Sequence, residues 1–446
     1  MRTTLRSILL TLLAATTPGV LSAQEAALSA LLAKADTANP EILAAKRAAE
    51  AATARVPQAG ALPDPMLGVG FMNVPVTSPG LGSDMMTMAQ VQVGAQIPWP
   101  GKLSLREEVA RFRAEAAGWE LERVRDRIRT EVKAAYYQTY FVDRALEVTA
   151  RNESLVGDFA RLTSAKYGVG TGAQPDVLKA QVERSRLADQ VIALREERTG
   201  LVARLNALLG RPTDTPLMST ELPEDIRAAA VLSSTDELTF ASASLSGVLP
   251  SSPDASGPLQ SVAALQRQAL DHNPMIQAHV RRVAAQERAV ALAETAKLPD
   301  LSLTAGYSYR SGLGDFFNVM VSAPLPIFSG RKQDQAVLEQ AATLAEHQAR
   351  HYSMVNDVNA EIASLWADLQ RARDQIVLLN EGILPQARTS LSSTTASYQV
   401  GEVDFLTLLD SQVTLYRHEL DYHRLLADFA NNLAALERAV GTEVLR

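Results

Sequence analysis

Few residues in this 446-residue chain combine type and spacing in a way that suggests chemistry. His347 and His351 are four apart, a spacing that puts two imidazoles on one face of a helix, where further ligands could complete a divalent-metal site. No supporting Glu or third ligand accompanies them, so the pair reads as a solvated helix face and no metal site is expected. His418 and His423 are five apart and do not align. Five of the ten methionines fall between Met66 and Met88. Thioethers suit soft ions such as Cu(I), but flexible apolar filler is the plainer reading. There is no nucleophile elbow and no P-loop. Cysteine is absent, which excludes disulfides, thiol catalysis, thiolate metal sites and a lipid on an N-terminal Cys. No catalytic residue and no cofactor is assigned. What remains is a pair of similar glycine turns, around Gly170 and Gly401.

Those turns belong to a repeat with a period near 231 residues. Tyr167-Gly168-Val169-Gly170 is matched by Tyr398-Gln399-Val400-Gly401, and Gln181 by Gln412 at the same distance beyond. Leu209-Gly210 is matched by Val440-Gly441, Asn39-Pro40 by Asn273-Pro274, and Leu62-Pro63-Asp64 by Leu298-Pro299-Asp300. Only two copies this long make a duplicated half-molecule rather than a solenoid. The expected organisation is a first repeat at 24–210, a linker or equatorial segment at 211–259, and a second repeat at 260–446. Ser, Pro, Thr and Gly concentrate in Ser233–Pro258 of that linker.

Each half has the same order. A helix (about 25–56 and 260–296) leads into two runs with period-two alternation, at about 66–97 and 301–325, in which Val91 and Val93 alternate with Gln92 and Gly94. A very long helix follows, about 102–164 and about 331–393. In the second copy Val355, Val358, Ile362, Leu365, Leu369, Ala372, Ile376, Leu379 and Ile383 form a heptad seam. Tip turns at about 167–173 and 398–402 then reverse the chain into shorter helices. The two short helices of each half, set end to end, match the single long one, so together they make a uniform wall.

Apolar residues are 47% of the chain, aromatics 5%, and the net charge is −7, without a basic stripe that would suggest nucleic acid. Arg2, Arg6, the apolar core from Ile8 to Ala15 and Leu21-Ser22-Ala23 read as a secretory signal over 1–23. No stretch reaches the ~20 apolar residues of a membrane helix. Runs of about ten alternating residues suit tilted strands crossing a bilayer. Four strands cannot close a barrel, and open edges are not tolerated in lipid, so chains must pool them; three copies give twelve. Trp99 and Phe328, where strands meet helices, are candidate membrane-interface aromatics. The expected fold is mainly α with a small β-barrel part. It repeats a helix–two strands–long helix–turn–helix unit, and a homotrimer of it forms a 12-stranded outer-membrane β-barrel on a 12-helix periplasmic α-barrel.

This order, with Tyr167-Gly168-Val169-Gly170-Thr171…Asp176-Val177-Leu178 and Tyr398-Gln399-Val400-Gly401…Leu408-Leu409-Asp410, resembles the TolC-like outer-membrane efflux protein family across the mature chain except 211–259. The resemblance implies no enzyme. It implies a homotrimer in outer-membrane lipid, partnered by a periplasmic adaptor protein that links it to an inner-membrane pump of RND or ABC type. The adaptor would meet the tips at Val169, Gly170, Thr171, Val400, Gly401 and Glu402. Family gate positions fall on Thr407 and Asp410. Asp410 keeps the acidic ring's charge and Thr407 does not, while Asp404, one turn earlier, either substitutes or simply caps its helix. A closing hydrogen bond would join Tyr398 to Asp176, and a second link, which needs an Arg at the position of Val403, is missing. The run Leu62-Pro63-Asp64-Pro65-Met66…Ile97-Pro98-Trp99-Pro100-Gly101-Lys102 resembles the heavy-metal-efflux branch. Small-solute efflux, of metal ions or drugs, is the leading expectation and type I polypeptide secretion the alternative. A periplasmic coiled-coil scaffold or adaptor is the rival of a different class.

Overall fold

The computed structural model describes residues 28–231 and 260–445, apart from positions 78 and 83. The expected signal segment and most of Ser233–Pro258 lie outside the described residues. The elements of the first half are α1 (Leu28–Ala38), α2 (Pro40–Gly60), β1 (Met66–Met72), β2 (Met88–Ile97), α3 (Lys102–Gly168) and α4 (Gln174–Leu208). After α5 (Glu224–Val231), the second half runs through α6 (Val262–His272), α7 (Pro274–Thr295), β3 (Leu301–Tyr309), β4 (Phe316–Ser322), α8 (Gln333–Val377), α9 (Leu384–Val400) and α10 (Phe405–Val440).

The first helix of each half is broken where the sequence reading ran it through. Pro40 and Pro274 lack the N–H that an uninterrupted helix would use, and each instead opens a new helix. The preceding Asn caps it. Asn39 Oδ1 accepts from the N–H groups of Glu41 (2.8 Å) and Ile42 (3.3 Å), and Asn273 Oδ1 from those of Met275 (2.9 Å) and Ile276 (3.1 Å). The same amides reach the far ends of the returning helices. Asn39 Nδ2 donates to the Leu208 carbonyl (2.9 Å) and Asn273 Nδ2 to that of Ala439 (2.8 Å). This is how the short helices of each half meet end to end. Gly210 and Gly441 finish the junctions at φ 62° and 85°, and any Cβ on either would collide with the backbone at Ala38 or His272.

The 67 residues of α3 extend on the order of 100 Å and pack on α2 above and α4 below. The layer near the sheet runs α2, α3, α7, α8. The matching long element of the second half is one continuous path from α8 to α9. Six residues between them, Leu378–Ile383, widen into a π-helical turn just ahead of Pro385. A proline inside a helix clashes with the carbonyl four residues back, and a wider turn relieves that clash. Of the expected seam, Val358, Ile362, Leu369, Ala372, Ile376 and Leu379 are buried. The described part of 211–231 packs on the middle of the helical layer through Leu217, Leu222 and Ile226. There the Asp143 carboxylate holds Arg198 Nε (2.6 Å) and the Thr220 N–H (3.0 Å).

The four strands form one antiparallel sheet in the order β1-β2-β3-β4, with β2 against β3 joining the halves. The register sorts its two faces. Leu67, Val93, Ala305 and Val319 stand in one cross-strand row, and Val69, Val91, Tyr307 and Phe317 in the next. The opposite face carries rows such as Gly68, Gln92, Gly306 and Asn318. Phe71, Val69, Phe317 and Val321 are all exposed in the single chain. One face is thus apolar across all four strands and the other is dominated by Gln, Ser, Thr, Gly and Asn, while the outer edges of β1 and β4 have no partner strand among the described residues. No described helix is long and apolar enough to cross a membrane.

Candidate functional site: the paired helical tips

Far from the sheet, two hairpins end side by side. In the first, α3 runs to Gly168 and its closing carbonyl, that of Lys166, accepts from the N–H groups of Thr171 (2.9 Å) and Gly172 (3.0 Å). Gly170 takes φ 79°, a conformation other residues enter only with strain. In the second, Gly401 sits at φ 85° and the Glu402 N–H donates to the Ser397 carbonyl (2.9 Å), a Schellman closure. These bonds leave the apolar tip side chains outside: Val169 is 76% exposed and Val400 74%. Thr171 and Glu402 are exposed with them.

Beneath the tips lies a small core of its own, made by Phe159, Ala180, Tyr398, Phe405 and Leu408. Tyr398, still within α9, is 5% exposed, and its ring packs on that of Phe405 at 5.8 Å. Asp176, in the first turn of α4, is near enough for its charge to add to burial in raising the Tyr398 phenol above its ordinary pKa. No hydrogen bond joins the two in this conformation; the hydroxyl and carboxylate are neighbours only. The group that does tie the hairpins is Lys166. Its ammonium donates to the Tyr398 carbonyl and stands 4.3 Å from the centre of the Tyr398 ring. The resemblance did not point to Lys166. The signal in the sequence was a cation in the last turn of α3, where the helix dipole favours it.

Asp404 caps α10. Its Oδ1 accepts from the Thr407 N–H (2.9 Å) and the Thr407 hydroxyl (2.6 Å), and these bonds hold the carboxyl below the usual range. Thr407 and Asp404 are therefore bound to each other, whereas Asp410, three residues on, is exposed on the same side of α10 as Thr407. Above this level a polar ladder links α3 to α10: Thr149 with Tyr416 (3.1 Å), Asn152 with Gln412 (2.8 Å), and Arg151 with Glu419 (2.6 Å).

At the other end of the long helices, the Trp99 N–H donates to Asp300 Oδ1 (2.9 Å), and Lys102 Nζ bonds both Asp300 (2.7 Å) and the Leu298 carbonyl (2.9 Å). Burial alone would raise the Asp300 pKa, but the Lys102 and Trp99 hydrogen bonds outweigh it and hold the carboxyl low. The Leu-Pro-Asp and Trp-Pro-Gly-Lys signals of the two halves thus interlock where strands meet helices. Trp99 is partly exposed and Phe328 is 76% exposed.

The expectation of a simply solvated His347–His351 face needs correcting. Gln286 on α7 meets Gln340 on α8 (2.9 Å), and that antiparallel register brings His279 opposite His347. The Nδ1 atoms of His279, His347 and His351 are all buried and without a hydrogen-bond partner. Burial first, then the neighbouring Arg282 and the other two histidines, lower the His279 pKa. Among the described residues, no group of three or more His, Cys, Asp or Glu is placed to hold a metal ion.

Residues 31–211 and 265–442, the two halves of the duplication, match the family model described as outer membrane efflux protein. The chain belongs to this family. It is 22% identical over 417 residues, spanning 93% of this chain and 90% of the relative, to the cobalt-zinc-cadmium resistance protein CzcC of Cupriavidus metallidurans. It is 24% identical over 330 residues to the outer membrane protein TolC of Vibrio cholerae, spanning 70% of this chain and 67% of that one. Its fold is similar to the crystal structure of VceC from Vibrio cholerae, with a TM-score of 0.74 at 18% identity over 95% of this chain and 98% of that one. The efflux-family chain is an outer-membrane protein whose long helices extend into the periplasm, and members of the family are channels rather than enzymes.

Proposed function

We propose that three copies of this chain close into one conduit, with twelve strands in the outer membrane and the helices as its periplasmic wall. Small solutes, metal ions or drugs, would leave through it from an inner-membrane pump joined by a periplasmic adaptor. The observation that carries this reading is the open sheet. Its β1 and β4 edges lack partners and one whole face is apolar, a state stable in lipid only once other chains supply the missing strands. Metal as cargo is supported by the similarity to CzcC, which spans nearly the whole chain.

The tips are the proposed gate and docking point. Val169, Gly170, Thr171, Val400, Gly401 and Glu402 form the adaptor-facing surface. Asp410 is the carboxylate best placed to ring the opening, since Asp404 is occupied in capping. Asp176 and Tyr398 belong to the hinge beneath. Trp99 marks the lipid boundary, whereas Phe328, expected beside it, lines a cavity beneath the sheet. The test is to extract the protein from outer membranes and ask for a heat-dissociable trimer that conducts in planar bilayers. A non-conducting soluble monomer or dimer would overturn the reading in favour of a scaffold.

A further inference from the structure

Just below the sheet, one cavity of about 1000 Å³ touches all four helices of the layer, α2, α3, α7 and α8. A cavity shared by helices lying side by side opens on one face of their layer, here under the strand–helix connectors Leu298–Pro299 and Pro324–Ile327. In the trimeric ring proposed above, this face is taken to turn inward, towards the lumen. Each helix contributes one stripe at helical spacing, as Lys102, Arg106, Val109 and Arg113 do on α3. Arg55, Arg106, Arg113 and Lys332 line the cavity among apolar side chains such as Leu292 and Phe328.

None of these four cations forms an ion pair among the described residues. Elsewhere on the same helices pairing is the rule, as in Arg281 with Glu115, Arg282 with Glu120 and Arg288 with Glu108. Among the described residues the one carboxylate lining the cavity, Asp300, is already held by Lys102 at 2.7 Å. Arg106 also acts on the Asp300 carboxylate, and the cavity lining still carries more cations than carboxylates.

We propose that this cavity is a cationic collar of the lumen that accepts anionic solutes, multivalent or amphipathic, as they pass from tube to barrel. The inference rests on the channel reading and deepens it by naming the class of solute. Three copies place about twelve positive charges around one constriction, and within a Debye length of ~8 Å solvent ions screen them little. A free cation crosses that ring against repulsion, whereas a metal leaving as an anionic complex does not.

The test is planar-bilayer recording from the full trimer, with inorganic tripolyphosphate added on the β-barrel side. The comparison protein carries R55Q, R106Q, R113Q and K332Q together. Wild-type current should be blocked, and the half-blocking concentration should rise about tenfold in the variant while cation-over-anion permeability rises about twofold. Equal block in both proteins, or no block of the wild type, overturns the collar. Calorimetric titration of tripolyphosphate in detergent separates a lumen site from a lipid-headgroup site, since binding to a conducting protein without block puts the cations outside the conduit and overturns it. Should the fourfold variant fail to trimerise, R106Q and R113Q singly must each weaken the block, and unchanged block in both is a negative result. A wild type that never conducts sinks the channel reading. The anion site is then decided by calorimetry alone, supported by binding lost in the variant and overturned by its absence.

Discussion

Lys166 and Tyr398 lie 232 positions apart, yet the ammonium of the first donates to the carbonyl of the second and sits 4.3 Å from its ring centre. The contact joins the first hairpin to the second at the level where the tube ends. Val403 stands where the resemblance called for an arginine, and Lys166 supplies a cationic link from the opposite hairpin.

Lys166→Met keeps the aliphatic stem and removes both interactions. A charged hydrogen bond with a cation–π contact contributes on the order of 2 kcal/mol, or about thirtyfold in a closed-to-open ratio. Single-channel recording should show a higher open probability with unchanged open conductance, and identical gating would count against the link.

Tyr398 acts through its buried ring. Tyr398→Phe should leave the closed state as it is, because the hydroxyl has no bond to Asp176 in this conformation. Tyr398→Ala empties the tip core beside Phe405 and should cost about 3 kcal/mol or more, seen as local loss of amide protection in α9 and α10. A gating change in Tyr398→Phe would restore the hydroxyl to the mechanism.

Asn39 and Asn273 each cap one helix and bond the end of another. Replacing either with Ala should lower unfolding stability by about 1–2 kcal/mol. Asn39→Asp keeps the cap oxygen but faces the Leu208 carbonyl without a donor, so it should recover only part of the loss in thermal melts.

His423 is packed against Tyr140, its Nδ1 3.5 Å from the phenol oxygen. Burial, reinforced by Arg144, depresses its pKa from 6.5 to about 4. The neutral ring is therefore the folded form. Its contribution is complete above pH 6.5 and is lost as pH falls towards 4, by at most about 3 kcal/mol. Raised pKa values at Asp126 and Asp428, both from burial, oppose this slope in acid. His423→Gln should flatten the acid limb of a stability curve between pH 6.5 and 4, and an unchanged slope would assign it to other groups.

The duplication, the period-two strands and the heptad seam were legible in the sequence because each follows from local spacing: side chains two apart share a sheet face, and those three or four apart share a helix face. The tip turns were legible for a similar reason, since Gly170 and Gly401 occupy backbone angles few other residues accept. The breaks at Asn39-Pro40 and Asn273-Pro274 were visible as repeats, but what each amide holds was not.

Sequence by itself determined that two like halves, each with paired strands and a long helix, would make an elongated helical wall. Tertiary structure alone decided which groups meet across that wall. Lys166 on Tyr398, His279 opposite His347 and the four cations sharing one cavity all depend on how antiparallel helices are shifted against one another, and no local spacing encodes that shift. It is set by the summed packing of buried side chains between α3, α7, α8 and α10, a property of the whole tube rather than of any segment.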